Sequence, residues 1–241
     1  MRRAPWWVAA AVVVAAGAGG CSDVGTAPDA IVSIAFDTLP YPAVVAGDTM
    51  RDSLGHAAPL RAVAYNSDGD VIPDPPLVYL AIDTGVLVDA RGYLVATTRT
   101  SGSVRVVAAG VQLQSLTKTV QVTRAPTRLA VSGSAVDTVK YALPDAATNV
   151  SKAMTVRLTR DSAGTALGVP GFLVSWQLTF RGATIAPSDT TLASLWDDAR
   201  RTSTLDTTGI EGTAARSLRI RSNALPTSAD SFVVFATTRY R

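Results

Sequence analysis

The sequence predicts an all-β protein whose strands form two consecutive sandwiches. From Ala30 onward, short runs of alternating apolar and polar residues are separated by Gly, Pro, Asp and Asn, which is typical of β-sandwiches. Charged helix formers are scarce, since the chain contains one glutamate, Glu211, and three lysines, whereas Val and Thr recur. No segment after the first twenty residues keeps an apolar stripe at the period of an α-helix.

The clearest predicted strand is the segment FLVSWQLTF, residues 172–180. Its alternate residues form one apolar face: Phe172, Val174, Trp176, Leu178 and Phe180. The segments TVRLTR, residues 155–160, and SLRIRS, residues 217–222, alternate in the same way. We therefore expect the arginines of the second half to lie on solvated strand faces: Arg157, Arg160, Arg181, Arg216, Arg219 and Arg221. Contact with an acidic polysaccharide is the alternative for these arginines.

Two halves of the chain resemble each other. LRAVAYNSDGDVIPDPPLVYLAI and MTVRLTRDSAGTALGVPGFLVSWQL share an alternating strand, a polar turn, a proline and a second alternating strand. Gly69 precedes Pro75 by the same separation as Gly164 precedes Pro170. This order predicts one sandwich over residues 30–125 and a second over residues 126–241.

The amino-terminal segment has the composition of an export signal. Arg2 and Arg3 precede a run of uncharged residues that is too short to span a bilayer and ends in small residues. Residues 18–21, AGGC, resemble the lipobox of bacterial lipoproteins, in which the cysteine receives a lipid and becomes the first residue. The resemblance implies a signal peptide over 1–20, lipidation of Cys21, and a flexible tether over 21–29. An ordinary secretory signal, which leaves Cys21 as a free thiol, is the alternative.

Several motifs resemble those of bacterial immunoglobulin-like domains, as found in invasin- and intimin-type adhesins. These are the turns SDGDVI and DSAGTAL, the strands with Leu80 or Trp176 inward, and the late strands that Gly92 and Gly212 introduce. The resemblance implies two tandem immunoglobulin-like β-sandwiches. Cys21 is the one cysteine, so the disulfide of antibody domains is excluded and packing around Trp176 must replace it.

The charge balance argues against nucleic-acid binding. The whole chain has a formal net charge of +3. Loss of Arg2 and Arg3 with the signal leaves 20 basic and 19 acidic side chains, which is close to neutral. The basic surface that nucleic-acid binding requires is therefore not predicted.

The sequence offers no convincing catalytic or metal site. His56 is the one histidine, and RDSLGH lacks the nucleophile turn of a Ser-His-Asp enzyme, so we expect an exposed loop residue. Asn66, Asp68, Asp70 and Asp74 faintly resemble a calcium loop, but they are also the residues that a tight hairpin turn favours. We expect no enzyme activity, no metal and no cofactor.

One region departs from the repeat, namely residues 181–209. It is longer than a sandwich connection requires, so the sequence predicts a long loop. This segment carries Trp196 near Arg200 and Arg201, and tryptophan and arginine are enriched in binding hot spots. These three residues are therefore candidates for contact with a ligand, and the alternative, which we favour, is that Leu195 and Trp196 pack back onto the sheet while the charges face water.

Together these features indicate a lipid-anchored protein of the bacterial cell envelope, at either face of the outer membrane. The resemblance implies a binding, adhesion or spacer role, with the membrane as one partner through Cys21 and a glycan or an envelope protein as the other. An accessory structural subunit of a larger envelope complex is the alternative.

Overall fold

The prediction of an all-β protein is confirmed. The computed structural model describes residues 30–36, 38–110, 112–140, 142, 144–221 and 230–240. In these residues the regular secondary structure consists of eighteen β-strands. No helix in the described ranges is long and apolar enough to cross a membrane.

The first half of the chain, residues 30–125, contains nine strands arranged in three sheets. They are β1 Ser33–Ala35, β2 Ala43–Val45, β3 Val63–Tyr65, β4 Val78–Ala81, β5 Val86–Val88, β6 Leu94–Ala96, β7 Gly102–Gly110, β8 Leu113–Gln114 and β9 Lys118–Thr123. The main sheet has the order β2-β9-β7-β4, with β8 paired to β7, and β2 is parallel to β9. β1 pairs with β3 and β5 pairs with β6 in two small antiparallel sheets.

The second half, residues 126–241, contains nine further strands in two sheets. They are β10 Arg128–Ser132, β11 Met154–Ser162, β12 Thr165–Gly168, β13 Leu173–Phe180, β14 Ala183–Ile185, β15 Ala193–Trp196, β16 Leu205–Thr207, β17 Thr213–Ile220 and β18 Phe232–Thr237. One sheet has the order β10-β11-β17-β15, with β12 paired to β11. In the other sheet β13 pairs with β14, β16 and β18. Among the described residues, no sheet contains strands from both halves. The exact boundaries of the two domains stay a prediction.

Each half has its own apolar core between its sheets. In the first half, valines of β7 and β9 pack against Leu94, Ala96 and Met50. In the second half, Val174, Trp176 and Leu178 of β13 pack against Leu218 and Ile220 of β17. The inward face predicted for residues 172–180 is therefore confirmed, since Trp176 is 4% exposed while Ser175 and Gln177 face solvent.

The two polar turns that the sequence singled out are hairpin turns. Gly69 and Gly164 both have positive φ angles, 84° and 80°, which glycine adopts without a steric penalty. The side-chain oxygen of Asn66 accepts hydrogen bonds from the backbone N–H groups of Asp68 and Asp70. Asn66 therefore closes the turn in the way that Asn favours.

Three expectations were wrong. Leu80 does not point inward, because it is 47% exposed and Tyr79 packs on the core instead. Arg216 and Arg219 do not face solvent, because each side chain is paired with an aspartate and buried. Residues 181–209 are not a long loop, because this segment contains β14, β15 and β16.

Candidate functional site

The predicted contact residues Trp196, Arg200 and Arg201 lie on or beside one tight turn. Trp196 pairs with Thr202 across the turn, and residues 197–201 connect them. The N–H of Asp197 donates to the carbonyl of Arg201, and the N–H of Arg200 donates to the carbonyl of Asp197. Arg200 has a φ of 61°, a left-handed conformation that is uncommon outside glycine. The turn is therefore fixed by its own backbone.

The two arginines of this turn differ in what they contact. Arg201 forms an ion pair with Asp197 at 2.9 Å. The backbone N–H of Arg201 donates to the carboxylate of Asp197 and is the main reason that the pKa of Asp197 is lowered. Arg200 is exposed and has no ion pair with any other described residue. Both arginines are therefore exposed, and they differ in that the Arg201 side chain is paired with Asp197.

Trp196 contacts a buried arginine of its own half. The guanidinium carbon of Arg219 lies 5.8 Å from the centre of the Trp196 ring. Arg219 is 2% exposed, and its two terminal nitrogens bind the two carboxylate oxygens of Asp145 at 3.2 and 2.7 Å. Arg221 binds the same carboxylate at 3.3 Å. Trp196 therefore packs back onto the sheet, as the alternative in the sequence analysis proposed.

Asp145 holds the connection between β10 and β11 against β17. Arg219 also donates to the carbonyl oxygens of Asn149 and Ile220. The side-chain amide of Asn149, a residue that is 1% exposed, donates to the carbonyl of Ala142 and to Asp145. A bidentate arginine–carboxylate pair is among the strongest polar contacts in proteins. This cluster fixes a long connection over one end of the sandwich.

The second buried arginine links the two sheets of this half. Arg216 of β17 forms an ion pair with Asp206 of β16 at 2.8 Å. It also donates to the carbonyl oxygens of Ser203 and Leu205. The chain passes from one sheet to the other between β15 and β16, so Arg216 secures that passage.

An aromatic joint connects the two halves of the chain. Phe172 is 2% exposed and lies edge-on between Tyr41, at 5.7 Å between ring centres, and Tyr240, at 6.1 Å. The Tyr41 hydroxyl accepts a hydrogen bond from the N–H of Leu173, and the Tyr240 hydroxyl donates to Asp48. Burial raises the pKa of the Tyr41 hydroxyl. Apolar residues from both halves surround this joint, so they share a third core.

Gly171 allows the two halves to approach closely at the joint. A Cβ atom at this position would lie 2.9 Å from the Cβ of Ala43 and 3.0 Å from the Cβ of Gln121. Gly171 also has a φ of 79°. A larger residue would therefore clash with the first half and strain the backbone.

The remaining sequence candidates take no part in these contacts. The His56 side chain is 77% exposed in a loop, as expected, and Asp52 binds backbone N–H groups of that loop. The described residues contain no group of three or more His, Cys, Asp or Glu that could hold a metal ion. Cys21 and its neighbours in the signal and tether lie outside the described residues.

Two features were not predicted from the sequence: the contacts of Arg219 with Asp145 and the aromatic joint around Phe172. Asp145 is 74 residues from Arg219, and no local pattern links the two. Phe172 was expected inward, but its place between two tyrosines of distant segments has no sequence signature. Gly171 was an available signal, because glycine is often found where another part of the molecule approaches the backbone closely.

Comparisons with known proteins give structural neighbours at low identity. The chain is similar to domains 4–9 of the surface layer protein SbsC, with 12% identity and a TM-score of 0.32 over 87% of this chain. It is similar to the Yersinia pseudotuberculosis adhesin InvE, with 14% identity and a TM-score of 0.29 over 82% of this chain. It is also similar to the D00-D0 domain of intimin, with 14% identity and a TM-score of 0.25 over 87% of this chain.

The chain spans 29% of the SbsC structure, 56% of the InvE structure and 94% of the intimin structure. No protein-family model matches the sequence, and no curated protein matches it either.

Proposed function

We propose that this protein is a non-enzymatic module of the bacterial cell envelope that is lipid-anchored at Cys21 and acts as a stiff spacer and binding unit. The observation that carries this proposal is the aromatic joint around Phe172. Two sandwiches joined by a loose linker would turn independently, whereas a shared apolar core with two tyrosine hydrogen bonds resists such motion. A spacer needs this stiffness.

The strand register supports a spacer, because Ile31 and the joint are at opposite ends of the first half. Gly102 at the start of β7 pairs with Val122, close to the joint, whereas Ile31 lies beside Gly110 at the other end of β7. Strands rise about 3.4 Å per residue, so these ends are roughly 27 Å apart. The chain thus enters the first half away from the second.

The second half extends away from the joint in turn. β13 begins at Leu173 beside the joint and ends at Phe180, where Arg181 pairs with Asp230 at 2.7 Å. Its length of eight residues corresponds to roughly 25 Å. The surfaces near Arg181, and the Arg200 turn on the flank, are therefore the parts that such a spacer would present to a glycan or an envelope protein.

Detergent partitioning tests the anchor. The full chain is expressed in a bacterial host and its membrane fraction is separated into detergent and aqueous phases. Several acyl chains give nearly permanent attachment, so we expect the detergent phase for the wild type and the aqueous phase for a chain that begins at Ser22 and lacks both the signal and Cys21. Wild-type protein in the aqueous phase would contradict the anchor. Digestion of intact cells with protease then shows whether the protein faces outward.

A second candidate function is an accessory structural subunit, and one observation favours it. The strand β4 and the residue after it present Val78, Leu80 and Ile82 to solvent, at 59%, 47% and 48% exposure. Such a row on a strand at the edge of a sheet is suited to contact with another protein.

Crosslinking followed by purification separates the two functions. A subunit predicts one stoichiometric partner that is lost in Leu80→Lys and kept in Leu205→Lys, a matched change at an exposed leucine of the other half. The spacer predicts that neither substitution alters what copurifies.

A further inference from the structure

We propose that the second half binds one neutral sugar ring in a cleft between its two sheets. The cleft has a volume of about 200 Å³. It lies where β13 and β14 of one sheet separate from β15 of the other. Trp196, Arg200 and Arg201 do not line it, although Thr202, at the end of the turn described above, does. The proposal adds a ligand class to the binding role and does not depend on the lipid anchor.

The size of the cleft restricts its ligand. Sites for drug-sized molecules have volumes of roughly 300–1,000 Å³. A cleft of about 200 Å³ therefore suits a single ring with its substituents rather than a peptide or a nucleotide.

The lining combines hydroxyl and amide groups with apolar walls. Thr184, Thr202, Thr204 and Gln177 line the cleft together with the apolar Ile185, and the Gln177 amide donates to the Thr184 hydroxyl at 3.0 Å. Hydroxyl and amide groups both donate and accept hydrogen bonds. This mixture matches a pyranose ring, which has hydroxyl groups around its edge and C–H groups on its faces.

The charge of the lining favours a neutral ligand. Among the described residues that line the cleft, Asp189 carries the one charge. Hydrogen bonds from the side chain and the backbone N–H of Thr191 lower the pKa of Asp189, so its carboxylate remains an acceptor at neutral pH. A carboxylate with no lining cation would repel phosphates and acidic sugars, whereas it can accept hydrogen bonds from the hydroxyl groups of a neutral sugar.

An unpaired donor in the wall of the cleft is the second observation. Trp176 lines the cleft and is 4% exposed, and its indole N–H has no hydrogen-bond partner among the described residues. Buried indole N–H groups usually have a partner, and an exception in a folded protein requires an explanation. This nitrogen is itself covered, so the Trp176 side chain has to shift before a sugar hydroxyl in the cleft becomes its acceptor, and the indole N–H signal reports that shift.

The test follows the Trp176 indole N–H by nuclear magnetic resonance. The full chain carries Trp6→Phe and Trp7→Phe, which leaves Trp176 and Trp196 as its two indoles. Glucose, galactose, mannose and N-acetylglucosamine are added in turn, and Trp196→Phe assigns the two signals. We expect at least one sugar to shift the Trp176 signal in a saturable way while the Trp196 signal stays in place.

Two threonine variants identify the site. Thr184→Val removes one lining hydroxyl at nearly constant volume and should weaken sugar binding about fivefold, as loss of one hydrogen bond does. Thr207→Val changes an exposed strand threonine outside the cleft and should leave binding unchanged. The proposal is overturned if none of the four sugars gives a saturable shift, or if both variants bind like the wild type. Neither result bears on the anchor, which detergent partitioning tests separately.

Discussion

The two halves of this molecule are both β-sandwiches, but they treat arginine–aspartate pairs differently. In the first half Arg105 and Asp83 form a bidentate pair on the surface, with 55% and 23% of their side chains exposed. In the second half Arg219 and Asp145 form a comparable pair at 3% and 17% exposure. The second half therefore uses a buried pair to hold a long connection, whereas the Arg105–Asp83 pair of the first half stays at the surface.

This difference shows that two β-sandwiches can hold their connecting segments with different kinds of contact. A buried pair adds little net stability, because desolvation of both charges offsets their attraction, but loss of one partner is costly. Asp145 can form its hydrogen bonds with the Arg219 guanidinium in one arrangement of the connection between β10 and β11. We infer that the pair selects that arrangement rather than strengthening the core.

The largest expected effect comes from Asp145→Ala. This change leaves the Arg219 guanidinium buried without its carboxylate and should lower the free energy of unfolding by roughly 3–5 kcal/mol. Asp83→Ala, the matched change in the first half, should cost far less because Arg105 remains hydrated. Urea unfolding of both variants measures the contrast. Equal losses would show that the two pairs are energetically alike.

A double variant sharpens this contrast. Replacement of both partners, Arg219→Met with Asp145→Leu, removes the buried charge together with its carboxylate. Because apolar residues often substitute for a buried pair without loss, we expect a stability closer to the wild type than that of Asp145→Ala. If the double variant is as unstable as Asp145→Ala, the stabilising contacts of Asp145 are those with Arg221 and Asn149 rather than the pair with Arg219.

An intermediate effect is expected for Trp196→Ala. Trp196 covers the buried Arg219, so its loss should cost about 0.5–2 kcal/mol of cation–π attraction as well as some packing. Tyr93→Ala is the matched control, since the exposed Arg91 lies 5.2 Å from the Tyr93 ring in the first half. Thermal melting should show the larger decrease for Trp196→Ala, and the reverse order would contradict a structural role for Trp196.

The smallest effect is a pH dependence in the first half. Hydrogen bonds from the Arg105 side chain lower the pKa of Asp83 to about 2. The contribution of Asp83 to stability is thus complete above its unfolded pKa of about 3.8 and disappears as the pH falls through about 2. Melting temperatures of the wild type and Asp83→Asn should converge over this range. A constant difference between them would contradict the pairing.

The sequence predicted the strands well because alternation is a local signal. Residues 172–180 alternate without interruption, and their inward face is the one observed. The same rule failed at Arg219, because alternation indicates which face a residue occupies but not what covers that face. Leu80 failed for a related reason, since the hydroxyl of Tyr79 accepts a hydrogen bond from the N–H of Ala62 and Tyr79 takes the inward position.

The candidate site was predicted less completely. Trp196 was singled out by residue type, which cannot distinguish an exposed contact from a cover over a buried cation. The strands β14 to β16 were missed because they are short and Gly182 and Pro187 interrupt their surroundings. The joint depends on Tyr41, Phe172 and Tyr240, and contacts between such distant segments form only in the folded chain.

A distance measurement across the joint tests the spacer most directly. Spin labels are placed at Thr117→Cys in the first half and Ser188→Cys in the second, both exposed, in the full chain with Cys21→Ser. Electron paramagnetic resonance should give one narrow distance distribution, which Phe172→Ala broadens and Phe235→Ala, at an exposed phenylalanine of the same half, does not. A broad distribution in the parent protein would contradict a stiff joint and the spacer role that depends on it.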